Sequence, residues 1–244
     1  MTSAERLAEL ATNLAAVRAR IAEACEAAGR DAAEVQLIAV TKTFPVPDII
    51  ALASLGVVDV GENKDQEAAP KVAACAAAGV DLRWHFVGQL QVNKAASVVS
   101  YAYMVHSVDR SRLVAALGRR ASESGRLIRC LVQVNLDPQA DQPGGATAAG
   151  RGGAAPGEVL DLAGQITASG GLELGGIMAV APLGQPARPA YERLREIAEK
   201  VRSVYPDAGV ISAGMTGDLE DAIAEGATHV RIGTALLGGR RPFV

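Results

Sequence analysis

Residues 35–43 read VQLIAVTKT, an almost unbroken apolar run that ends in a lysine between two threonines. Runs of this kind are typical of strands that are covered on both faces, as in parallel sheets. Seven further apolar runs follow along the chain, and stretches with helical character separate them. Strands that alternate with helices pair in parallel through right-handed crossovers. The sequence therefore predicts an α/β fold.

Eight strand–helix units fit within the 244 residues. The predicted strands are 35–41, 57–60, 82–87, 103–108, 127–136, 172–180, 209–213 and 229–232. The predicted helices are 47–55, 65–77, 93–99, 110–124, 158–168, 190–204 and 219–225, with a short stub after Thr234. Eight units in roughly 250 residues match a closed (β/α)8 TIM barrel better than an open doubly wound sheet. We therefore expect residues 1–244 to form a single TIM-barrel domain.

Two segments lie outside this alternation of strands and helices. Residues 1–29 carry apolar side chains at helical spacing from Leu7 to Ile21, and Gly29 is predicted to end this N-terminal helix. Residues 137–156, DPQADQPGGATAAGRGGAAP, are of low complexity and are predicted to form a flexible loop. This loop is either a mobile lid or an unstructured insertion.

Composition narrows the classes of partner and compartment. The chain has 24 Lys and Arg against 27 Asp and Glu, a formal net charge of −3, which argues against nucleic-acid binding. No stretch reaches the roughly 18 uncharged apolar residues of a membrane span, and Glu5, Arg6 and Glu9 interrupt any signal peptide. The three cysteines are far apart and form no CxxC pair, so we expect reduced thiols and a cytoplasmic location. These cysteines are Cys25, Cys75 and Cys130.

The lysine at the end of the first strand is the most unusual residue by its local context. Active sites of these barrels lie at the C-terminal ends of the strands, where Lys42 is predicted to stand. An amine in apolar surroundings favours its neutral form, which is nucleophilic toward an aldehyde. Lys42 is therefore a candidate for Schiff-base chemistry. The alternative is a strand-end lysine whose amine reaches solvent.

The ends of the seventh and eighth strands predict a phosphate site. TIM barrels often bind phosphate with the loops after these two strands and the N-terminus of a short extra helix. Here the strings SAGMTGD and RIGTALLGG supply glycines for close backbone approach and hydroxyl donors; these residues are Ser212, Gly214, Thr216, Gly217, Gly233 and Thr234. The alternative is that the glycines only close tight turns.

Arg231 begins the second of these strings, two residues before Gly233, and is predicted to reach the barrel mouth. A guanidinium there would face the ring nitrogen of a pyridine cofactor. Alternatively, Arg231 could pair with Asp218 or Glu220. A lysine, a phosphate site and a partner for a ring nitrogen together indicate pyridoxal 5′-phosphate (PLP), held as a Schiff base on Lys42.

The histidines carry weaker signals. His85 either borders the cofactor or lies in the core, which we favour. His106 either lines the mouth or caps the next helix, and His229 is interpreted as a residue of the barrel wall. Because the sequence shows no HxxxH pair and no carboxylate cluster at ligand spacing, no metal site is predicted.

Several long motifs match one known family, in the order in which that family carries them. They are LIAVTKT around Lys42, GEN followed by QE over residues 61–67, WHFVGQLQVNK over 84–94, HSVDR over 106–110, GIMAV over 176–180, and SAGMTGDLEDAIAEGATHVRIGTALLG over 212–238. On these motifs the chain closely resembles the pyridoxal phosphate homeostasis proteins, which share their barrel with the N-terminal domain of alanine racemase.

The resemblance implies roles for individual residues. Lys42 would carry PLP, Arg231 would face the pyridine nitrogen, and Asn63 would border the ring. The phosphate would be held by Ser212, Met215, Thr216, Gly233 and Thr234. The chain departs from the family at Phe44, where some members have another lysine, and at Arg151, where many members have a lysine before the glycine. The resemblance therefore does not extend to a role of additional lysines in transferring PLP, although Arg151 could supply a cation to a phosphate.

The function that the resemblance implies is reversible binding of PLP, which buffers its free concentration and could supply PLP-dependent apoenzymes. The alternative is an amino-acid racemase, which needs a second acid or base on the opposite face of the cofactor. In alanine racemase a tyrosine of a C-terminal domain fills that role, and this sequence ends at Val244. None of its four tyrosines, Tyr101, Tyr103, Tyr191 and Tyr205, is an obvious replacement. A third hypothesis is a barrel enzyme that acts on a phosphorylated sugar. We expect the protein to be a monomer.

Overall fold

The computed structural model describes residues 2–137 and 152–239, and in this part of the chain eight strands close into a barrel in sequence order. The strands are β1 (Gln36–Val40), β2 (Asp59–Glu62), β3 (Arg83–Phe86), β4 (Met104–Val108), β5 (Ile128–Val134), β6 (Leu172–Ala179), β7 (Val210–Ser212) and β8 (His229–Ile232). All neighbouring strands are parallel, and β1 pairs with both β2 and β8. The predicted TIM barrel is confirmed.

Helices lie between the strands as predicted, with boundaries shifted by up to three residues. They are α1 (Ser3–Ala27), α2 (Val46–Ser54), α3 (Asp65–Ala77), α4 (Ala95–Tyr101), α5 (Ser111–Glu123), α6 (Val159–Ala168), α7 (Ala187–Val204), α8 (Leu219–Ala224) and α9 (Thr234–Leu237). The first helix ends where Gly29 adopts a left-handed φ of 66°, which glycine tolerates without steric cost. None of the helices in the described ranges is long and apolar enough to cross a membrane.

The N-terminal helix α1 packs against α8 and α9, on the side of the barrel where β7 and β8 lie. Leu10, Leu14 and Val17 of α1 are buried in a cluster that also contains Leu236 of α9. Three polar side chains of α1 bond to carbonyl oxygens after β7 and β8: Arg6 to Leu237, Asn13 to Leu236, and Arg20 to Thr216. The extra helix therefore supports the loops that the sequence assigned to phosphate binding.

Part of the predicted loop 137–156 is described. Ala154 forms a bridge with Val134 of β5, and the Gln133 amide donates to the Gly152 carbonyl at 2.6 Å. Residues 138–151 lie outside the described residues, and with them Arg151. The interpretation of this loop as a lid therefore stays a prediction.

Candidate functional site

Lys42 lies at the C-terminal mouth of the barrel, two residues beyond the end of β1. The residue is half-buried, and its amine has no hydrogen-bond or ion-pair partner among residues 2–137 and 152–239. Across the β1–β8 seam Gly233 lies beside Val40, where an added Cβ would be 3.4 Å from the Val40 carbonyl. Lys42 and Gly233 therefore follow adjacent strands at the same end of the barrel.

Side chains from α3 fix the backbone on both sides of Lys42. The buried amine of Lys71 donates to the Thr41 carbonyl at 2.9 Å. The Glu67 carboxylate accepts a hydrogen bond from the Thr43 amide. Thr43 has a φ of 69°, and it is the one non-glycine residue with positive φ in the described ranges. The turn that carries Lys42 is therefore strained at Thr43 and is held in place by Lys71 and Glu67.

Lys71 is shared by two carboxylates. Its amine lies 2.8 Å from an oxygen of Glu62 and 2.8 Å from an oxygen of Glu67. Burial raises the pKa of Glu62, and the Lys71 hydrogen bond only partly offsets it. For Glu67 burial is outweighed by hydrogen bonds from Lys71 and Thr43, which lower its pKa. The other oxygen of Glu62 is buried without a hydrogen-bond partner among the described residues.

Arg231 lies inside the mouth and is 5% exposed. Its guanidinium donates to Ser212 Oγ at 2.7 Å and to the Ala179 carbonyl at 2.9 Å. The alternative pairing with Asp218 or Glu220 is wrong, because neither carboxylate bonds to this guanidinium. Asp218 accepts from the Met215 amide and from the Tyr191 hydroxyl, and Glu220 pairs with Arg20.

A chain of hydrogen bonds leads from Arg231 across the barrel interior. Ser212 Oγ lies 2.9 Å from His106 Nδ1, and His106 Nε2 lies 2.9 Å from His85 Nδ1. His85 Nε2 in turn lies 2.8 Å from Asp59 Oδ1. With neutral imidazoles, every ring nitrogen is satisfied if each group donates to the next, from Arg231 through to Asp59. In that arrangement the single hydrogen of Ser212 is directed at His106.

A low pKa is consistent with a neutral ring at His106. Burial is the main cause that lowers the pKa of His106 well below its usual value, and the neighbouring His85 and Arg231 add to the effect. Burial opposes ionisation of Asp59, but hydrogen bonds from His85 and Arg83 lower its pKa. His85 thus lies in the barrel interior, as favoured from the sequence, and His106 does not cap α5, whose N-cap is Arg110.

The loops after β7 and β8, which the sequence predicts to hold phosphate and which we call the cup, lie side by side, and one glycine there is required by geometry. Gly214 has a φ of 91°, and an added Cβ would lie 2.7 Å from the Ala222 Cβ. Its carbonyl accepts from the Arg231 amide at 2.9 Å, so the loop after β7 is joined to β8. Thr216 Oγ1 accepts from the Ala235 amide of α9 at 3.4 Å.

The predicted phosphate residues differ in how accessible they are. Ser212 is fully buried, and its hydroxyl is engaged inside the barrel by Arg231 and His106. Met215 and Thr216 lie on the open side of the same loop, where Met215 is 37% exposed. Ser212 therefore lies inside the barrel, whereas Met215 and Thr216 form the outer part of the cup.

Asn63 follows β2, on the side of β1 away from β8, and lines a cleft of about 810 Å3. Its side chain has no hydrogen-bond partner in the part of the chain that the structure describes. The backbone of Gly88 packs against it, because an added Cβ at Gly88 would lie 2.2 Å from the Asn63 carbonyl oxygen. The remaining lining residues are Lys64, Asp65, Gln66, Phe86, Gln89, Leu90, Gln91, Lys94 and Arg110.

His229 and the cysteines complete the list of chemically reactive groups. His229 begins β8, as expected of a wall residue, and burial lowers its pKa to about 4. Cys25, Cys75 and Cys130 are buried free thiols. Within the described ranges no three His, Cys, Asp or Glu side chains are grouped as metal ligands would be.

The sequence did not single out the residues that support Lys42, and it assigned Ser212 to phosphate instead of to Arg231. Lys71 follows Glu67 by four residues on a predicted helix, a spacing typical of ion pairs, so this pair could have been found. The bonds of Ser212 with His106 and Arg231 join side chains up to 106 residues apart, and no local pattern indicates them.

Comparison with known proteins identifies the class of protein to which this fold belongs. The family model described as the N-terminal domain of alanine racemase matches residues 12–241. Alanine racemase from Streptomyces coelicolor shares the fold, with a TM-score of 0.69 at 20% identity over 94% of this chain and 58% of that chain. The fold and the strand-end lysine thus define a barrel of the alanine racemase N-terminal class.

Two comparisons identify the particular family. A protein of Mycobacterium tuberculosis named pyridoxal phosphate homeostasis protein is 42% identical over 251 aligned positions, covering 97% of this chain and 95% of its own. The structure of PipY from Synechococcus elongatus with PLP bound superposes with a TM-score of 0.79 at 32% identity, covering 94% of this chain and all of that one. The chain belongs to the family of pyridoxal phosphate homeostasis proteins.

Proposed function

We propose that the protein binds PLP reversibly on Lys42 and serves in PLP homeostasis. The observation that carries this proposal is the half-buried Lys42 amine, which lacks a partner among the described residues and stands beside the β8 end. The aldehyde of PLP condenses with a primary amine with loss of water. The names of the relatives and the PLP-bound PipY structure support the same cofactor.

The residues at the mouth fit the three functional groups of PLP. Arg231 keeps its guanidinium at the β8 end with bonds to Ser212 and Ala179, where it would face the ring nitrogen. The phosphate would be held by the loops after β7 and β8, through Gly214, Met215, Thr216, Gly233 and Thr234. Ser212 would contribute by holding Arg231, because its single hydrogen is directed at His106.

Asn63 would border the ring from the other side. The cleft beside it leaves one side of the mouth open, so PLP could enter and leave. An arginine at the ring nitrogen keeps that nitrogen unprotonated and makes the ring a weaker electron sink than an aspartate would. This arrangement disfavours reactions that need a strong electron sink.

The test is covalent fixation of PLP on Lys42. Purified protein is incubated with PLP, reduced with borohydride, digested and analysed by mass spectrometry, with absorbance recorded before reduction. We expect a phosphopyridoxyl group on Lys42 and a yellow absorbance band that Lys42→Ala lacks. The control is Lys200→Ala, since Lys200 is an exposed lysine of α7. Labelling of other lysines to the same extent as Lys42 would contradict the proposal.

The racemase alternative is decided by an assay for racemisation of alanine and other amino acids. We expect no turnover above that of free PLP. Sustained turnover that disappears in Lys42→Ala would establish an enzyme instead of a storage protein.

We infer further that the protein acts as a monomer in the cytoplasm and that PLP-dependent apoenzymes are its recipients. The buried free thiols support the cytoplasmic location. Sedimentation velocity should give a single species of 25.1 kDa. Transfer is tested by mixing loaded protein with an apoenzyme and a trap for free PLP; activation blocked fully by the trap would exclude direct delivery.

A further inference from the structure

The residues on both sides of Lys42 are held by a buried cluster that would not itself contact PLP. We define the α3 clamp as Glu62, Glu67 and Lys71. Lys71 is 7% exposed, and its amine makes three hydrogen bonds, to Glu62, Glu67 and the Thr41 carbonyl. All three donor hydrogens of this ammonium are therefore used inside the cluster.

The clamp holds the chain before and after Lys42 at separate points. Before it, the Thr41 hydroxyl donates to the Glu62 carboxylate at 2.7 Å and the Thr41 carbonyl accepts from Lys71. After it, the Thr43 amide donates to Glu67. Lys42 itself makes no bond to the clamp, so its amine is left available.

Thr43 shows that the clamp works against a local preference of the chain. Its φ of 69° lies in the left-handed region, which a β-branched residue rarely adopts. Backbone of this kind persists only where the surroundings enforce it, and it concentrates at functional sites. The bond from the Thr43 amide to Glu67 is a contact that enforces it.

The cluster is also a costly way to stabilise a fold. Buried ion pairs often contribute less than apolar side chains of similar volume, because each charge loses its hydration. One oxygen of Glu62 is buried without a hydrogen-bond partner in the described ranges, and burial raises the pKa of this carboxyl. A role beyond stability accounts for a cluster with these costs.

We propose that the α3 clamp is a positioning device, which fixes the peptide groups around Lys42 so that its amine points into the mouth toward PLP. This inference rests on the proposed function, since it concerns the same site. Without the clamp Thr43 would relax to negative φ and the Lys42 side chain would leave the strand in another direction. A positioned amine captures its ligand faster because less ordering remains to be done.

The experiment measures the rate at which Lys42 becomes labelled by PLP in time-resolved borohydride quenching, together with the thermal midpoint of the apo protein. We expect Glu67→Ala, which removes the acceptor of the Thr43 amide, to slow labelling about tenfold. The matched control is Glu23→Ala at an exposed glutamate of α1, which should leave the rate unchanged. The double variant Glu67→Ala with Thr43→Gly should recover most of the lost rate, because glycine adopts positive φ without support.

The outcomes separate this inference from the proposed function. Absence of Lys42 labelling in the unchanged protein would overturn the proposed function. Normal labelling in a folded Glu67→Ala variant, or slow labelling that Thr43→Gly does not recover, would overturn the positioning role alone.

A further variant keeps the test decisive if Glu67→Ala does not fold. Thr43→Gly alone releases the strain, so its thermal midpoint should equal or exceed that of the unchanged protein. A fall of several degrees in that single variant would show that Thr43 is not strained, and the positioning role would be lost with it.

Discussion

At the scale of single residues, Gly88 determines where Asn63 lies. A Cβ at Gly88 would be 2.2 Å from the Asn63 carbonyl oxygen and 2.6 Å from its Cα, so the backbone would have to move. We expect Gly88→Ala to lower the free energy of unfolding by about 1–3 kcal/mol and to weaken PLP binding. Urea denaturation and a spectroscopic titration with PLP measure the two effects.

Gly157 provides the matched control, because an added Cβ there meets nothing within 4 Å. Gly157→Ala should change the free energy of unfolding by less than about 0.5 kcal/mol. If Gly88→Ala bound PLP as tightly as the unchanged protein, the position of Asn63 would not matter for the cofactor.

Ser212 and Thr216 are also distinguished at the residue scale. Ser212 holds Arg231 inside the barrel, whereas Thr216 lies in the outer cup. We therefore expect Ser212→Ala to weaken the binding of pyridoxal, which has no phosphate, as strongly as that of PLP. Thr216→Ala should weaken the binding of PLP alone.

The measurement compares dissociation constants of the two ligands for each variant. Loss of one neutral hydrogen bond corresponds to about a threefold to tenfold change. A Ser212→Ala variant that binds pyridoxal normally and PLP poorly would return Ser212 to the phosphate site that the sequence predicted.

At the scale of elements, α1 supports the phosphate cup from outside the barrel. Arg20 donates to the Thr216 carbonyl at 3.1 Å and pairs with Glu220 of α8 at 2.6 Å. We expect Arg20→Ala to weaken PLP binding about twofold to tenfold, because the loop after β7 loses a bond that fixes it. Arg18, which is exposed on the same helix, gives the control variant Arg18→Ala, and equal effects of the two variants would contradict this support.

The sequence predicts the secondary-structure elements more completely than it predicts the candidate site. The strands and helices were predicted to within three residues because apolar periodicity is a local property of each segment. Lys42 and the cup glycines could be proposed for a related reason, since the ends of parallel strands meet at one edge. The chain from Arg231 to Asp59 could not, because its bonds depend on barrel closure, which brings β2, β3, β4, β7 and β8 together. The α3 clamp joins neighbouring segments, and of its bonds only the Glu67–Lys71 pair has a local spacing that indicates it.

At the scale of the whole molecule, buried histidines make stability depend on pH. His106 and His229 both have a lowered pKa, that of His229 being about 4, and burial is the main cause in each case. In the unfolded chain these groups titrate near 6.5, so below this pH the unfolded state binds more protons than the folded state. Stability is therefore fully present above about pH 6.5 and falls as the pH approaches 4.

For His229 the expected loss is about 3 kcal/mol by pH 4, since one unit of pKa corresponds to about 1.4 kcal/mol. The charged groups that affect it are His85, Arg129 and Arg83, which disfavour its protonation, and Asp59, which favours it. Glu62 has the opposite dependence, because its raised pKa means that stability falls as pH rises above its unfolded value. The contribution of His229 therefore has to be measured as a difference.

We predict that His229→Asn reduces the loss of stability between pH 7 and pH 5 relative to the unchanged protein. Denaturant unfolding at several pH values gives the slope for each protein, and subtraction cancels the contributions of His106 and Glu62. The control variant Lys200→Gln should retain the full slope, because lysine side chains do not titrate in this pH range. Identical slopes for His229→Asn and the unchanged protein would show that the histidine in β8 does not stay neutral in the folded barrel.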